Sequence, residues 1–152
     1  MAKSDHKKEM KTNAMRLLDS RNAVYTMHEY GPDEAKKQPN IFKTLVTVGK
    51  TKEHYVFVVP INRELDLKKA AKAVGEKNIE MIRERELLPL TGYVHGGCSP
   101  LGMKKFFTTT IDSSAKEHET IMFSGGKIGK QIETSLTELA KVIVFSIEDI
   151  SK

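Results

Sequence analysis

The sequence predicts a mixed α/β (α+β) fold: one domain in which a mixed, mostly antiparallel curved sheet or barrel is surrounded by helices. Three observations carry this reading. β-Branched and apolar segments recur near 41–48, 55–59, 106–111, 120–124 and 142–146, and amphipathic segments with capping residues lie around them. The length, 152 residues, is close to that of a single domain, and 39% hydrophobic residues suffice for one core. Residues 1–11 are expected as a flexible N-terminal segment and residues 12–152 as the domain.

The elements follow in order. Thr12 can cap a first helix over Thr12–Asn22, which sets Met15 and Leu18 on one side, and Val24–Tyr30 alternates like a strand. Residues 31–40 are polar, contain two prolines and are expected as a mobile loop before the strand Ile41–Val48. A polar turn leads into the nearly continuous apolar strand Tyr55–Val59, so the two strands form a hairpin closed off by Pro60. Asp66 caps a helix that Gly75 ends, and a shorter helix spans Glu80–Leu87 before Pro89. Thr91–Gly102 is a tight glycine-rich loop. Phe106–Ile111 and Thr120–Ser124 read as strands, Ser135–Lys141 as a helix and Val142–Ser146 as a last strand.

Composition narrows the function. The longest apolar runs are far shorter than the roughly 20 residues that span a bilayer, and no apolar stretch follows the basic N-terminus as a secretory signal would require. A single cysteine allows no internal disulfide, which points to the cytoplasm. The net charge of +5 suits an anionic partner without identifying one.

Several residues stand out. Lys43 interrupts an otherwise apolar or β-branched strand, either as a charge that guards a sheet edge or as an ammonium that binds a phosphate or an ester in a cleft. The loops Gly96-Gly97-Cys98-Ser99-Pro100 and Ser124-Gly125-Gly126-Lys127 can each present backbone amides to an oxyanion, or can be ordinary turns. GGKIGK lacks the spacing of a nucleotide-binding P-loop, because Gln131 follows Gly129-Lys130, and this excludes nucleotide hydrolysis of that type. His95 and Cys98 are three residues apart, but no second cysteine and no ligand spacing among the other histidines accompanies them, so neither a metal nor another cofactor is expected. Cys98 is a nucleophile beside His95 or a small residue that fills the loop. The run Arg83–Glu86 reads as a solvated helix face.

Taken in order, Phe42-Lys43-Thr44-Leu45, Leu65-Asp66-Leu67-Lys68-Lys69, Thr91-Gly92-Tyr93, Gly96-Gly97-x-Ser99-Pro100-Leu101-Gly102 and Ser124-Gly125-Gly126-Lys127 resemble the YbaK/EbsC family from about Thr12 to the last residue. The family is similar to the editing domain of bacterial prolyl-tRNA synthetases. The resemblance implies hydrolysis of mischarged tRNA, with Cys-tRNA(Pro) as leading substrate, the aminoacyl-tRNA acceptor end as ligand and prolyl-tRNA synthetase as a partner. A deacylase for another amino acid such as alanine, or a noncatalytic regulatory module that binds the aminoacyl-tRNA end or a nucleotide, are the alternatives. The resemblance also assigns Lys43 and Gly96 as catalytic, with Tyr30, Phe42, Thr44, Tyr93, Gly97, Cys98, Ser99, Pro100, Ser124, Gly125, Gly126 and Gln131 around the substrate. Gln131 departs from the family pattern, which has an aspartate there; an amide can hydrogen-bond but cannot act as a base. The implied mechanism uses the substrate cysteine's own thiol and needs no protein base.

Overall fold

In a computed structural model that describes residues 11–152, the first helix starts at the capping residue the sequence offers. The Met15 amide donates to the Thr12 hydroxyl at 3.2 Å, and helix α1 (Asn13–Ser20) buries Ala14, Met15 and Leu18. Of the segment expected to be flexible, residues 1–10 lie outside the described residues, and Lys11 meets Asp19 at 2.5 Å. After strand β1 (Thr26–Glu29), the stretch expected as a loop contains a short helix, α2 (Pro32–Lys36). Proline in the first helical turn gives up an amide that has no partner there anyway, and Asp33 and Glu34 face the positive helix end.

β2 (Phe42–Gly49) and β3 (His54–Pro60) form the expected hairpin, with Lys43 opposite Val59 and Thr44 opposite Val58. The Asp66 carboxylate accepts the amides of Lys68 and Lys69, both at 3.0 Å, and starts α3 (Leu67–Val74), which Gly75 ends at φ 76°. The helix expected over Glu80–Leu87 is instead strand β4 (Ile79–Met81) followed by α4 (Glu84–Thr91). β4 takes the edge position beside β2, and the Glu86 carboxylate then accepts the Arg83 amide at 2.8 Å and restarts the chain as a helix. Pro89 lies inside α4 rather than after it.

The chain continues through β5 (Thr108–Asp112), a 3-10 turn (Ser113–Glu117), β6 (Ile121–Lys127), β7 (Lys130–Thr134), α5 (Leu136–Leu139) and β8 (Ser146–Glu148). β5 starts later than expected because Phe107 turns into the core ahead of it. The last strand is displaced from 142–146 to 146–148, since Val142 and Ile143 pack against the core directly after α5. β7 has no counterpart in the sequence reading: Ile128-Gly129 is the turn of a β6–β7 hairpin whose first strand includes Gly125, Gly126 and Lys127.

Two open sheets result, β1-β7-β6 and β4-β2-β3-β5-β8, linked by an isolated bridge between Ile41 and Met122. Pairing is mostly antiparallel, with β3–β5 and β5–β8 parallel, but the sheets do not close into a barrel. β3 is apolar on both faces because both are covered: Val56 and Val58 enter the large core with α1 and the first sheet, while Phe57 and Val59 pack beneath α3. Asp112 pins the segment after the last strand, accepting the amides of Ile150 and Ser151 at 3.0 and 3.1 Å.

Candidate active site

Where the two sheets meet, β2, the β4–α4 junction, the loop after α4 and the β6–β7 hairpin enclose a cleft of about 620 Å³. Of the residues singled out in the sequence, Phe42, Lys43, Thr44, Gly96, Cys98, Ser124 and Gln131 line it. They come from four separate stretches, and the β6–β7 register sets Ser124 directly opposite Gln131.

Lys43 is half-buried, and among the described residues its ammonium has no carboxylate within ion-pair distance. Its neighbour Thr44 also lines the cleft, and the buried Thr44 Oγ1 has no hydrogen-bond partner among the described residues. Buried hydroxyls are ordinarily paired, so an unpaired one at the wall of a cleft suits a ligand atom. Lys130 contrasts with Lys43: it is nearly buried and lies 3.3 Å from Glu29, tying β7 to β1.

The glycine-rich loop is held from below. Tyr93, Cys98 and Leu101 all enter the core, and the Tyr93 hydroxyl donates to the Leu101 carbonyl at 2.6 Å. Ser99 is fully buried and its hydroxyl accepts the Leu101 amide at 3.3 Å. Gly97 presses on the hairpin, since a Cβ there would come within 3.0 Å of the Ile128 nitrogen. Gly96, at φ 85°, faces the cleft. Among the described residues the amides of Gly96, Cys98 and Ser99 donate no hydrogen bond, whereas that of Gly97 reaches Val94 at 3.0 Å. Burial pushes the Cys98 thiol up to about 12, so it stays protonated at neutral pH. His95 is three-quarters exposed at the rim, 3.8 Å from Glu84.

The remaining candidates lie elsewhere. Tyr93 braces the loop, and Gly126, at φ 100°, packs against its ring. The carbonyl of Gly125 accepts the Thr12 hydroxyl at 2.5 Å. Pro100 lines another groove beside Arg16 and Phe106, and Tyr30 stacks on His28 with ring centres 5.1 Å apart.

The cleft also contains residues the sequence reading passed over. Lys36 of α2 and Arg83 before α4 join Lys43 as cations, Glu84 is the carboxylate in the lining, and Met81, Ile82 and Leu87 form an apolar wall. Arg83 and Glu84 were read as part of a solvated helix face; only the break between β4 and α4 turns them to the cleft. Net charge from these side chains is +2, three cations against one carboxylate. The arrangement can hold an anionic, partly apolar ligand and offer amides to an oxyanion. Among the described residues there is no cluster of three or more His, Cys, Asp or Glu for a metal, and no helix is long and apolar enough to cross a membrane.

Known proteins resemble this chain in sequence and in fold. The family model of the aminoacyl-tRNA editing domain matches residues 22–142. EbsC of Enterococcus faecalis, which carries the name Cys-tRNA(Pro)/Cys-tRNA(Cys) deacylase, is 43% identical over 139 residues, covering 84% of this chain and 85% of that protein. The solved structure of the hypothetical protein APE2540 superposes with a TM-score of 0.84 at 20% identity, over 93% of this chain and 100% of that one. A second, described as a trans-editing enzyme for prolyl-tRNA synthetase, gives 0.78 at 23% identity over 94% and 99%.

Proposed function

The chain belongs to the aminoacyl-tRNA editing domain family and is an aminoacyl-tRNA deacylase, and on that premise we propose that it removes cysteine from Cys-tRNA(Pro) in the cleft around Lys43. The observation that carries the reading is the pair Lys43 and Thr44: a cation and a buried hydroxyl, adjacent on β2 and both without internal partners among the described residues.

An aminoacyl ester is already activated, so the protein must mainly hold the 3′-terminal adenosine, orient the attacking group and stabilise the tetrahedral oxyanion. Lys43 positions the ester and stabilises the developing negative charge, and the amides of Gly96 and Cys98, which line the cleft and which no internal acceptor uses among the described residues, are donors for the oxyanion. The substrate's own thiol attacks its carbonyl carbon. The carbon–ribose oxygen bond breaks, the ribose oxygen takes the thiol proton, and a cyclic thiolactone leaves. Cys98 is no rival nucleophile, because its thiol is held protonated. Gln131, opposite Ser124, contributes hydrogen bonds and no proton transfer. A protein of 17.1 kDa covers little of a tRNA, so tRNA selectivity comes from prolyl-tRNA synthetase acting as partner in the cytoplasm.

Release of labelled amino acid from Cys-tRNA(Pro), Ala-tRNA(Pro) and Pro-tRNA(Pro) tests this. Cysteine release alone is the expected result. Preferential alanine release would move the specificity, and tight binding of a nonhydrolysable aminoacyl-adenosine without release from any substrate would make the cleft a binding module.

A further inference from the structure

The three cations of the cleft are not equivalent. Lys43 lies half-buried in the strand, while Lys36 and Arg83 are exposed and stand on two different elements at the opening. Neither Lys36 nor Arg83 forms an ion pair among the described residues; Glu84, the neighbouring carboxylate, faces His95 instead. Two exposed, uncompensated cations beside an apolar wall of Met81, Ile82 and Leu87 suit a ligand with anionic groups outside and a flat, apolar group inside.

Resting on the deacylase reading above, we propose that Lys36 and Arg83 are a phosphate-binding pair that grips the sugar–phosphate backbone leading to the terminal adenosine. Lys43 is thereby left to the ester. Arg83 presents a planar fork that can take two phosphate oxygens, and Lys36 acts as a mobile point charge on the other side. The pair supplies binding rather than chemistry, so its loss appears in KM and in salt dependence, whereas loss of Lys43 appears in kcat.

The experiment uses two substrates with the same ester, Cys-tRNA(Pro) and 3′-O-cysteinyl-adenosine, which has no phosphate. Lys36→Ala and Arg83→Ala should each raise KM for the tRNA about tenfold and flatten the slope of log(kcat/KM) against log salt by roughly 0.7. Both variants should cleave cysteinyl-adenosine like wild type, Arg83→Lys should restore most of the salt slope, and Lys72→Ala, an exposed lysine on α3 away from the cleft, should change neither. Equal losses on both substrates, or no loss on the tRNA, would overturn the pair. Binding of the uncharged trinucleotide CCA, followed by fluorescence anisotropy, separates the two readings. If wild type cleaved neither ester, the deacylase reading would fall; weaker CCA binding by the variants would still support the pair, and unchanged binding would sink it.

Discussion

The cleft around Lys43 and a pocket around Glu133 lie two residues apart along β7, at Gln131 and Glu133, yet they are built on opposite rules. The second pocket, of about 430 Å³, is lined by Glu117, Glu119 and Glu133 and carries no lysine or arginine. At its β7 wall the polar groups Glu133, Thr120 and Asn40 are engaged with one another. Glu133 accepts from the Thr120 hydroxyl and from the Asn40 amide at 3.0 Å, and the His28 ring nitrogen stands 2.8 Å away. Around Lys43 the ammonium, the Thr44 hydroxyl and the loop amides lack such internal partners among the described residues. The lesson is that polar groups satisfied inside the chain hold the fold, while those left unsatisfied at a cavity wall stay available to a ligand.

Lys43→Ala gives the largest separation. Deacylation of Cys-tRNA(Pro) should fall about a thousandfold in kcat, as for loss of a transition-state donor, while the unfolding free energy in denaturant changes by no more than about 0.5 kcal/mol. A comparable drop in stability would make Lys43 structural and erase the contrast.

Glu133→Gln is the mirror experiment. It should lower stability by about 1–2 kcal/mol, because Thr120, Asn40 and His28 lose a charged partner, and leave deacylation within about twofold. Thr120 first, then His28 and Asn40, hold the Glu133 carboxyl below its ordinary value. A depressed folded value means that this stabilisation is complete above the ordinary glutamate range and is lost as pH falls through the lower folded value. Acid titration of unfolding should show that loss in wild type and lack it in the variant.

Thr44→Val sharpens the comparison inside the cleft. The swap removes a buried hydroxyl that has no internal partner, so thermal stability should hold or rise slightly, while kcat/KM falls about fivefold through a lost hydrogen bond to substrate. Cys98→Ser should do least: deacylation within about twofold of wild type, measured on the folded variant. Abolished turnover there would show that Cys98 takes part in the chemistry after all.

Much of the fold is legible where the signal is local. Thr12 and Asp66 announce their helices, and the β-branched runs of β2 and β3 announce their hairpin. β7 is not legible, because KQIET is short and partly charged and is a strand only through its pairing with β6 and β1. Motif residues in the site divide by burial: Lys43, Gly96, Ser124 and Gln131 meet in the cleft, whereas Tyr93 and Ser99 spend their hydroxyls bracing the loop. Lys36 and Arg83 were hidden because their place depends on a short helix and a strand–helix break that periodicity alone does not reveal.

The pairing of β1 with β7, Thr26 opposite Glu133, sets a timetable for the molecule's birth. The N-terminal strand cannot find its partner until more than a hundred further residues have left the ribosome. The cleft draws its walls from residues as early as Ala35 and as late as Gln131, so it is finished among the last features to form. A nascent chain therefore exposes β2 and β3 well before the last wall of the cleft around Lys43, at Gln131, has been made.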